Sequence, residues 1–268
     1  MKLSYGYPEA QDLEGLKKLW KLAFHDEDEY IDHFFRRYSP KQMFLVKSEG
    51  EIIGMTYYFP SLLHRKGKAY TFAYLYGVAT HPEMEKRGIA SGLLSYIYST
   101  LEKEGFDGVT TVPATPSLHG FFGKNGFSDY FVYEKKEGLS LSGEVERISG
   151  GEFAQRREDI LQNQDMPYIT LQEDGFAYQE GVCALGKGGF FRKGDDVFCV
   201  EQGGEDVMIV KEAFGENPPD VALSMLESRF LPQKITGDEV NFGMIQWFSS
   251  CPEDWAEGER GYLGLAFD

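Results

Sequence analysis

Cysteine is scarce and scattered in this chain of 268 residues: Cys183, Cys199 and Cys251 stand far apart, and no two share a C-x-x-C spacing. With only five histidines elsewhere, there is no cluster of metal ligands and no disulfide framework, so we expect a reduced, metal-free protein. No apolar run approaches the roughly 18 residues that read as a membrane span. Met1-Lys2-Leu3-Ser4-Tyr5 leads into polar residues rather than a signal-peptide core. The expectation is a cytoplasmic protein with no membrane association. Proline (11) and glycine (31) are too ordinary for a low-complexity or collagen-like chain.

Positive charge is also in short supply. The formal net charge is −16, and it is unevenly placed. Residues 1–140 hold 17 Lys+Arg against 18 Asp+Glu, residues 141–268 only 10 against 25. A polyanion would be repelled by the second half, which argues against a nucleic-acid partner and is compatible with a cationic one. A solvated acidic surface serving solubility is the simpler reading of the same charge.

What is present is enough for a sizeable core: 42% of residues are hydrophobic. Leu13, Leu16, Leu19, Trp20, Ala23 and Phe24 recur at helical spacing, and Tyr30, Ile31, Phe34 and Phe35 resume an apolar face after Asp26-Glu27-Asp28-Glu29. Two helices therefore follow a short first strand. Met43–Lys47 and Ile52–Phe59 flank Glu49-Gly50 as a hairpin, and Leu62–Arg65 and Tyr70–Thr80 read as further strands. Ile89, Leu93, Leu94, Ile97 and Leu101 then share one helical face up to the stop at Gly105. Val109–Val112 reads as a strand, Ser117–Asn125 as a short helix closed by Gly126, and Tyr130–Glu134 as a strand.

A linker through residues 137–143 and Gly150-Gly151 suggests two domains, 1–140 and 141–268. In the second, short strands are expected at Tyr168–Leu171, Phe176–Gln179, Val182–Leu185, Phe190–Arg192, Val197–Val200 and Val207–Glu212. A helix over Pro219–Phe230 and terminal strands at Phe242–Phe248 and Tyr262–Phe267 complete the pattern. Trp247, Phe248 and Trp255 read first as core, since large aromatics dominate buried area.

The most informative stretch runs from Leu75 to Ala90, a strand leading through His81-Pro82 into the amphipathic helix. Backbone N–H groups at a helix start lack intrahelical partners and carry the positive end of the dipole, so residues 87–92 suit a pyrophosphate. Val78, Pro82, Gly88 and Ala90 in that setting resemble the signature of the GNAT superfamily of acetyl-coenzyme A-dependent N-acetyltransferases, although Glu85 stands where that family has Arg or Gln. Phe121-Phe122-Gly123-Lys124-Asn125-Gly126-Phe127 is similar to the family's second motif, a helix ending in F-Y-x-x-x-G-F.

The resemblance covers roughly residues 1–135. It implies an α+β fold with a mixed sheet whose fourth and fifth strands, here about Phe72–Thr80 and Val109–Val112, splay to admit acetyl-coenzyme A. It assigns Tyr76, Gly77, Val78 and Ala79 of the strand, then Lys86, Arg87, Gly88, Ile89, Ala90, Ser91 and Gly92 of the turn and helix, with Phe122, to the coenzyme. An N–H near Val78 would donate to the thioester carbonyl. The second half looks like the degenerate GNAT-like half of tandem members, including the enhanced intracellular survival acetyltransferases.

Where many relatives carry a Tyr that protonates the departing thiolate, this chain has Phe122, which carries no proton. Substitutes are Ser117, Tyr130 and a carboxylate at Asp268, with His119 and Tyr133 nearby in sequence; Glu29, Asp32 and Glu83 are available to a cationic acceptor, though as solvated charges they need no function. The expected activity is direct acetyl transfer to a small or exposed primary amine. The alternative is a catalytically silent coenzyme A-binding module with a regulatory or partner-binding role. Edge strands in both halves leave homo-oligomer formation open.

Overall fold

The structure is a computed structural model and describes residues 2–135, 145–204, 207–215, 225–230, 239–256, 258–265 and 267. Its contacts group the chain into two units. The first comprises Met1–Ser61, Tyr70–Ser128 and Ile245–Trp255, the second Leu62–Ala69, Asp129–Met244 and Ala256–Asp268.

In the first unit, β1 (Leu3–Gly6) is followed by α1 (Leu13–Phe24), whose buried stripe is Leu16, Leu19 and Trp20, and by α2 (Asp28–Arg37), which buries Ile31, Phe34 and Phe35. His25, at φ 60°, ends α1 by donating its N–H to the Lys21 carbonyl at 3.1 Å. β2 (Met43–Ser48) and β3 (Glu51–Arg65) form the expected hairpin, with Ser48 opposite Glu51. Both turn residues, Glu49 and Gly50, have positive φ, which matches the twist of a two-residue hairpin. Lys66 and Gly67 repeat that geometry before β4 (Lys68–Thr80).

α3 (Ile89–Lys103) buries the predicted face of Ile89, Leu93, Leu94, Ile97 and Leu101, each no more than 2% exposed. Burial of that kind stabilises by roughly 1.5–3 kcal/mol per side chain. β5 (Gly108–Thr111) and α4 (Pro116–Lys124) complete the run. Strand order is β1-β2-β3-β4-β5. Trp247 packs edge-on against Phe72 and Trp255, with ring centroids at 4.8 and 5.1 Å, so Trp247 belongs to the core of this unit and the half-buried Trp255 packs on it.

The second unit takes β6 (Ser128–Lys135) almost whole, then β7 (Glu146–Ile148), α5 (Gly150–Leu161), β8 (Tyr168–Leu171), α6 (Glu173–Leu185), β9 (Gly189–Lys193), β10 (Asp196–Gly204), β11 (Val207–Phe214), β12 (Met225–Phe230) and the first part of β13 (Glu239–Trp247). Its topology repeats the first: a strand, two helices, three successive antiparallel strands (β9, β10, β11), then a parallel partner, since β11 pairs β12 parallel as β4 pairs β5. This is a second, degenerate copy of the same fold, with β8 added between its helices.

Five expectations for this half are corrected. Phe176–Gln179 and Val182–Leu185 are not strands but one helix, α6, and Gly150-Gly151 opens α5 rather than ending a linker. Residues 225–230 form β12 instead of a helix, because pairing with β11 and β6 decides a stretch whose local pattern fits either period. Residues 137–143 and 219–224 lie outside the described residues. Among the described residues of 262–267 there is no strand; isolated bridges tie Gly261 to Phe131 and Tyr262 to Tyr168.

Candidate active site

The site is built on the end of β4. Parallel pairing with β5 runs from Phe72–Gly108 to Leu75–Thr111 and goes no further, while β4 continues to Thr80. Residues 76–80 therefore lie beyond the last paired row, past the end of β5. Thr111 Oγ1 donates to the Leu75 carbonyl at 3.2 Å on the last row, and the buried Thr56 donates to the Tyr76 carbonyl at 3.1 Å from β3. Gly77 turns the backbone through φ +64°, and a Cβ there would lie 3.4 Å from the Trp20 ring. A side chain at 77 is disfavoured by conformation, while the Trp20 contact is an ordinary van der Waals one.

Beyond β4 the His81 N–H bonds to the Ile53 carbonyl at 2.9 Å, and its Nδ1 accepts from the Glu83 N–H at 3.3 Å, which shapes the turn. Lys86 and Gly88 are left-handed, at φ 59° and 77°. α3 makes its first internal hydrogen bond at Gly92, whose N–H reaches the Gly88 carbonyl at 2.9 Å. The amides of Ile89, Ala90 and Ser91 thus have no acceptor inside the helix. No atom lies within 4 Å of a Cβ built on Gly88. Lys86 and Arg87 are exposed beside it, with no ion-pair partner among the described residues.

Open space, unpaired amides and two cations are what a diphosphate requires, so the residues fit the phosphates of a coenzyme. Gly92 also has a packing role. Its missing side chain makes room for the Tyr5 hydroxyl, 2.5 Å from where a Cβ would stand. Ile89 likewise turns its side chain into the core, so these two residues have only backbone to offer a ligand.

Phe122 is 4% exposed, with the Phe121 and Phe127 rings each at 5.2 Å. Ser117 lies exposed in the first turn of α4, its Oγ 2.9 Å from Thr115 Oγ1. Tyr130 belongs to the second unit, where its hydroxyl donates to Glu259 Oε2 at 3.0 Å, while Arg65 Nε donates to the same oxygen at 2.8 Å. Burial, and then the Glu259 carboxylate, push the Tyr130 phenol well above its ordinary range. A phenol so held gives up its proton less readily than a free one. Asp268 lies outside the described residues. Asp32 is paired with Lys17 at 2.8 Å, and Glu29 and Glu83 are exposed.

Sequence reasoning missed Tyr30. Its hydroxyl is 2.8 Å from that of Tyr76 across 46 positions, a contact that local periodicity does not reveal. Trp20 stands nearby, its ring 5.7 Å from Tyr76 and its Nε1 donating to Asp26 Oδ2 at 2.8 Å. Among the described residues no group of three or more His, Cys, Asp or Glu is placed to hold a metal, and no helix is long and apolar enough to cross a membrane.

A mixed sheet that opens beside a phosphate-ready helix start defines an acyl-coenzyme A transferase fold, and the comparisons agree. Residues 5–128 match the family model for the acetyltransferase (GNAT) domain. No curated protein matches the sequence. Among solved structures, the GCN5-related N-acetyltransferase from Anabaena variabilis superposes with TM-score 0.69 at 10% identity, over 91% of this chain and 72% of that one. The GCN5-related N-acetyltransferase from Kribbella flavida gives 0.65 at 13%, over 92% and 72%. Eis1 from Mycobacterium abscessus gives 0.63 at 10%, over 92% and 73%. The likeness of fold therefore extends through both units. Residues 5–128 therefore form a GNAT acetyltransferase domain.

Proposed function

We propose that the protein transfers an acetyl group from acetyl-coenzyme A directly to a small or exposed primary amine. The observation that carries this reading is the start of α3: three amides without helical acceptors around an unobstructed, left-handed Gly88, next to a strand that has parted from its neighbour. Residues 87–91 would hold the diphosphate, and the 76–79 backbone would receive the pantetheine and the thioester carbonyl. When bound, the coenzyme supplies the activated acetyl group. The chain's own part is to orient that group, to raise the share of unprotonated amine and to return a proton to sulfur.

Support for an amine comes from charge. The α1–α2 connection and the first turn of α2 present Asp26-Glu27-Asp28-Glu29, and the 141–268 half carries most of the net acidity, so an alkylammonium is attracted where an anion is not. We assign coenzyme binding to residues 1–140 and acceptor selection to residues 141–268. Direct transfer is favoured over a covalent enzyme intermediate because Cys183 and Cys199 are buried and Cys251, though exposed, lies in no nucleophile motif. For proton transfer the sequence offers Ser117, Tyr130 and Asp268 as candidates, each testable by its removal.

The test is coenzyme A binding by calorimetry, followed by free-thiol release from acetyl-coenzyme A against a panel of polyamines, aminoglycosides, amino acids and peptides with free N-termini. Amine-dependent release with one class is expected. Binding without release from any amine would leave the silent module in its place.

A further inference from the structure

We propose that the Tyr76 phenol, held by Tyr30, gives the departing thiolate the proton that position 122 cannot. The inference rests on the coenzyme reading above and deepens it.

Phe122 occupies the motif position of the usual acid without an ionisable proton, and its ring is closed in by Phe121 and Phe127. The Tyr130 hydroxyl is bound to Glu259. Tyr76, by contrast, stands one residue before the Gly77 kink, on the stretch of β4 that has left its β5 partner. Its ring is fixed by Trp20 at 5.7 Å, Phe59 at 5.9 Å and Phe34 at 6.0 Å, and its carbonyl by Thr56. Tyr76 is half-buried, not sealed into the core as Phe34 and Phe59 are.

The two phenol oxygens are 2.8 Å apart and either can donate. When Tyr30 donates, its O–H lies between the oxygens and Tyr76 keeps its own proton. The same hydrogen bond stabilises a Tyr76 phenolate, because a donor to the charged form favours that form. A phenol otherwise too weak an acid for this task is thereby brought closer to the thiol it must protonate.

The step balances. The amine nitrogen bonds to the acetyl carbon, and the carbon–sulfur bond breaks with its electron pair on sulfur. Sulfur takes the Tyr76 proton. The proton lost by the nitrogen returns through the Tyr30 hydroxyl to the Tyr76 oxygen, so both phenols end as they began. Tyr76 is the catalytic residue of this scheme and Tyr30 the positioning one.

The probe is coenzyme A itself. Its bound thiol is titrated by thiolate absorbance against a desulfo-coenzyme A blank, and affinity is followed by calorimetry. We expect the wild type to lower the bound thiol's pKa by about one unit relative to free coenzyme, the scale of one hydrogen bond to the charged form. Tyr76→Phe should abolish that shift while affinity changes less than about threefold, and Phe122→Tyr on the Tyr76→Phe background should restore it. With spermidine, or whichever amine is turned over, Tyr76→Phe should lower kcat by roughly 10²–10³-fold with little change in KM.

Coenzyme A bound to Tyr76→Phe with the wild-type thiol pKa overturns the assignment. If Tyr76→Phe does not fold, Tyr30→Phe carries the test, and a thiol pKa unmoved from wild type overturns the pair. Absence of calorimetric binding to the wild type instead removes the coenzyme reading, and this proposal with it.

Discussion

The Gly92 amide bonds to the Gly88 carbonyl at 2.9 Å, and no earlier residue of α3 has a hydrogen-bond acceptor within the helix. The free amides of Ile89, Ala90 and Ser91 therefore face a space that Gly88 leaves open. Gly88→Glu should reduce coenzyme A affinity by at least about 100-fold, since a carboxylate set where a phosphate belongs repels it at short range. Gly88→Ala is the control: its methyl meets nothing within 4 Å. Both variants share the cost of a side chain at φ +77°, about 1–2 kcal/mol. Calorimetry should find the alanine variant close to wild type, and equal loss in the two variants would dissociate the phosphates from this turn.

The thiols give a second prediction. Cys183 and Cys199 are buried with their sulfurs 3.9 Å apart, whereas Cys251 is exposed. Burial pushes the Cys199 thiol up, and its S–H then serves as a hydrogen-bond donor to Cys183, whose own pKa is lowered by that bond. Titration of the native protein with an aromatic disulfide reagent should release one equivalent within minutes and two more only after denaturation. Three fast equivalents would contradict the packing of α6 on β10.

Much of the first unit was legible because its core obeys the periods that hydropathy reads. The stripe from Ile89 to Leu101 is wholly aliphatic, and Glu49-Gly50 announces its own turn. The second unit hid its helices because polar residues occupy core positions. α5 buries Gly150, Phe153, Arg157 and Leu161 on one face, and a buried arginine breaks that stripe for any reader of hydrophobicity. α6 does the same with Gln179, fully buried and donating to Cys183 and Glu201. In the candidate site, the turn proposed to hold the phosphates was visible because its residues are consecutive. The Tyr30–Tyr76 contact was not, since tertiary packing alone joins them.

Arg157 supports a third prediction. Its Nε donates to both Glu212 carboxylate oxygens, at 2.9 and 3.1 Å, and its other nitrogens reach the Ile169 and Leu263 carbonyls, each at 2.8 Å. Both members of the pair are buried, and burial raises the Glu212 pKa in spite of the arginine. Arg157→Met should destabilise by about 3–5 kcal/mol in urea denaturation, because it strands a buried carboxylate. A raised folded pKa favours the protonated form, so stability is retained below the unfolded value and lost as pH rises through the folded one. The penalty should therefore be larger at pH 8 than at pH 5. A loss independent of pH would mean that Glu212 is neutral in the native protein.

Asp12 gives the opposite sign. Burial alone would raise its carboxyl pKa, but the Lys47 ammonium at 2.6 Å and the Glu9 N–H at 2.9 Å more than offset that and hold it below the usual range. The pair ties the start of α1 to β2. Because the folded pKa is depressed, its stabilisation is complete above the unfolded value of about 3.9 and disappears as pH falls through the folded one. Asp12→Asn should cost about 1–2 kcal/mol at pH 7, the scale of a hydrogen bond to a charged group. Urea midpoints of wild type and variant, measured from pH 6 down to pH 3, should stay separated to about pH 4 and converge below it. Curves that remain parallel throughout would show that the ion pair adds nothing to the anchoring of α1, leaving Leu16, Leu19 and Trp20 to hold the helix by burial alone.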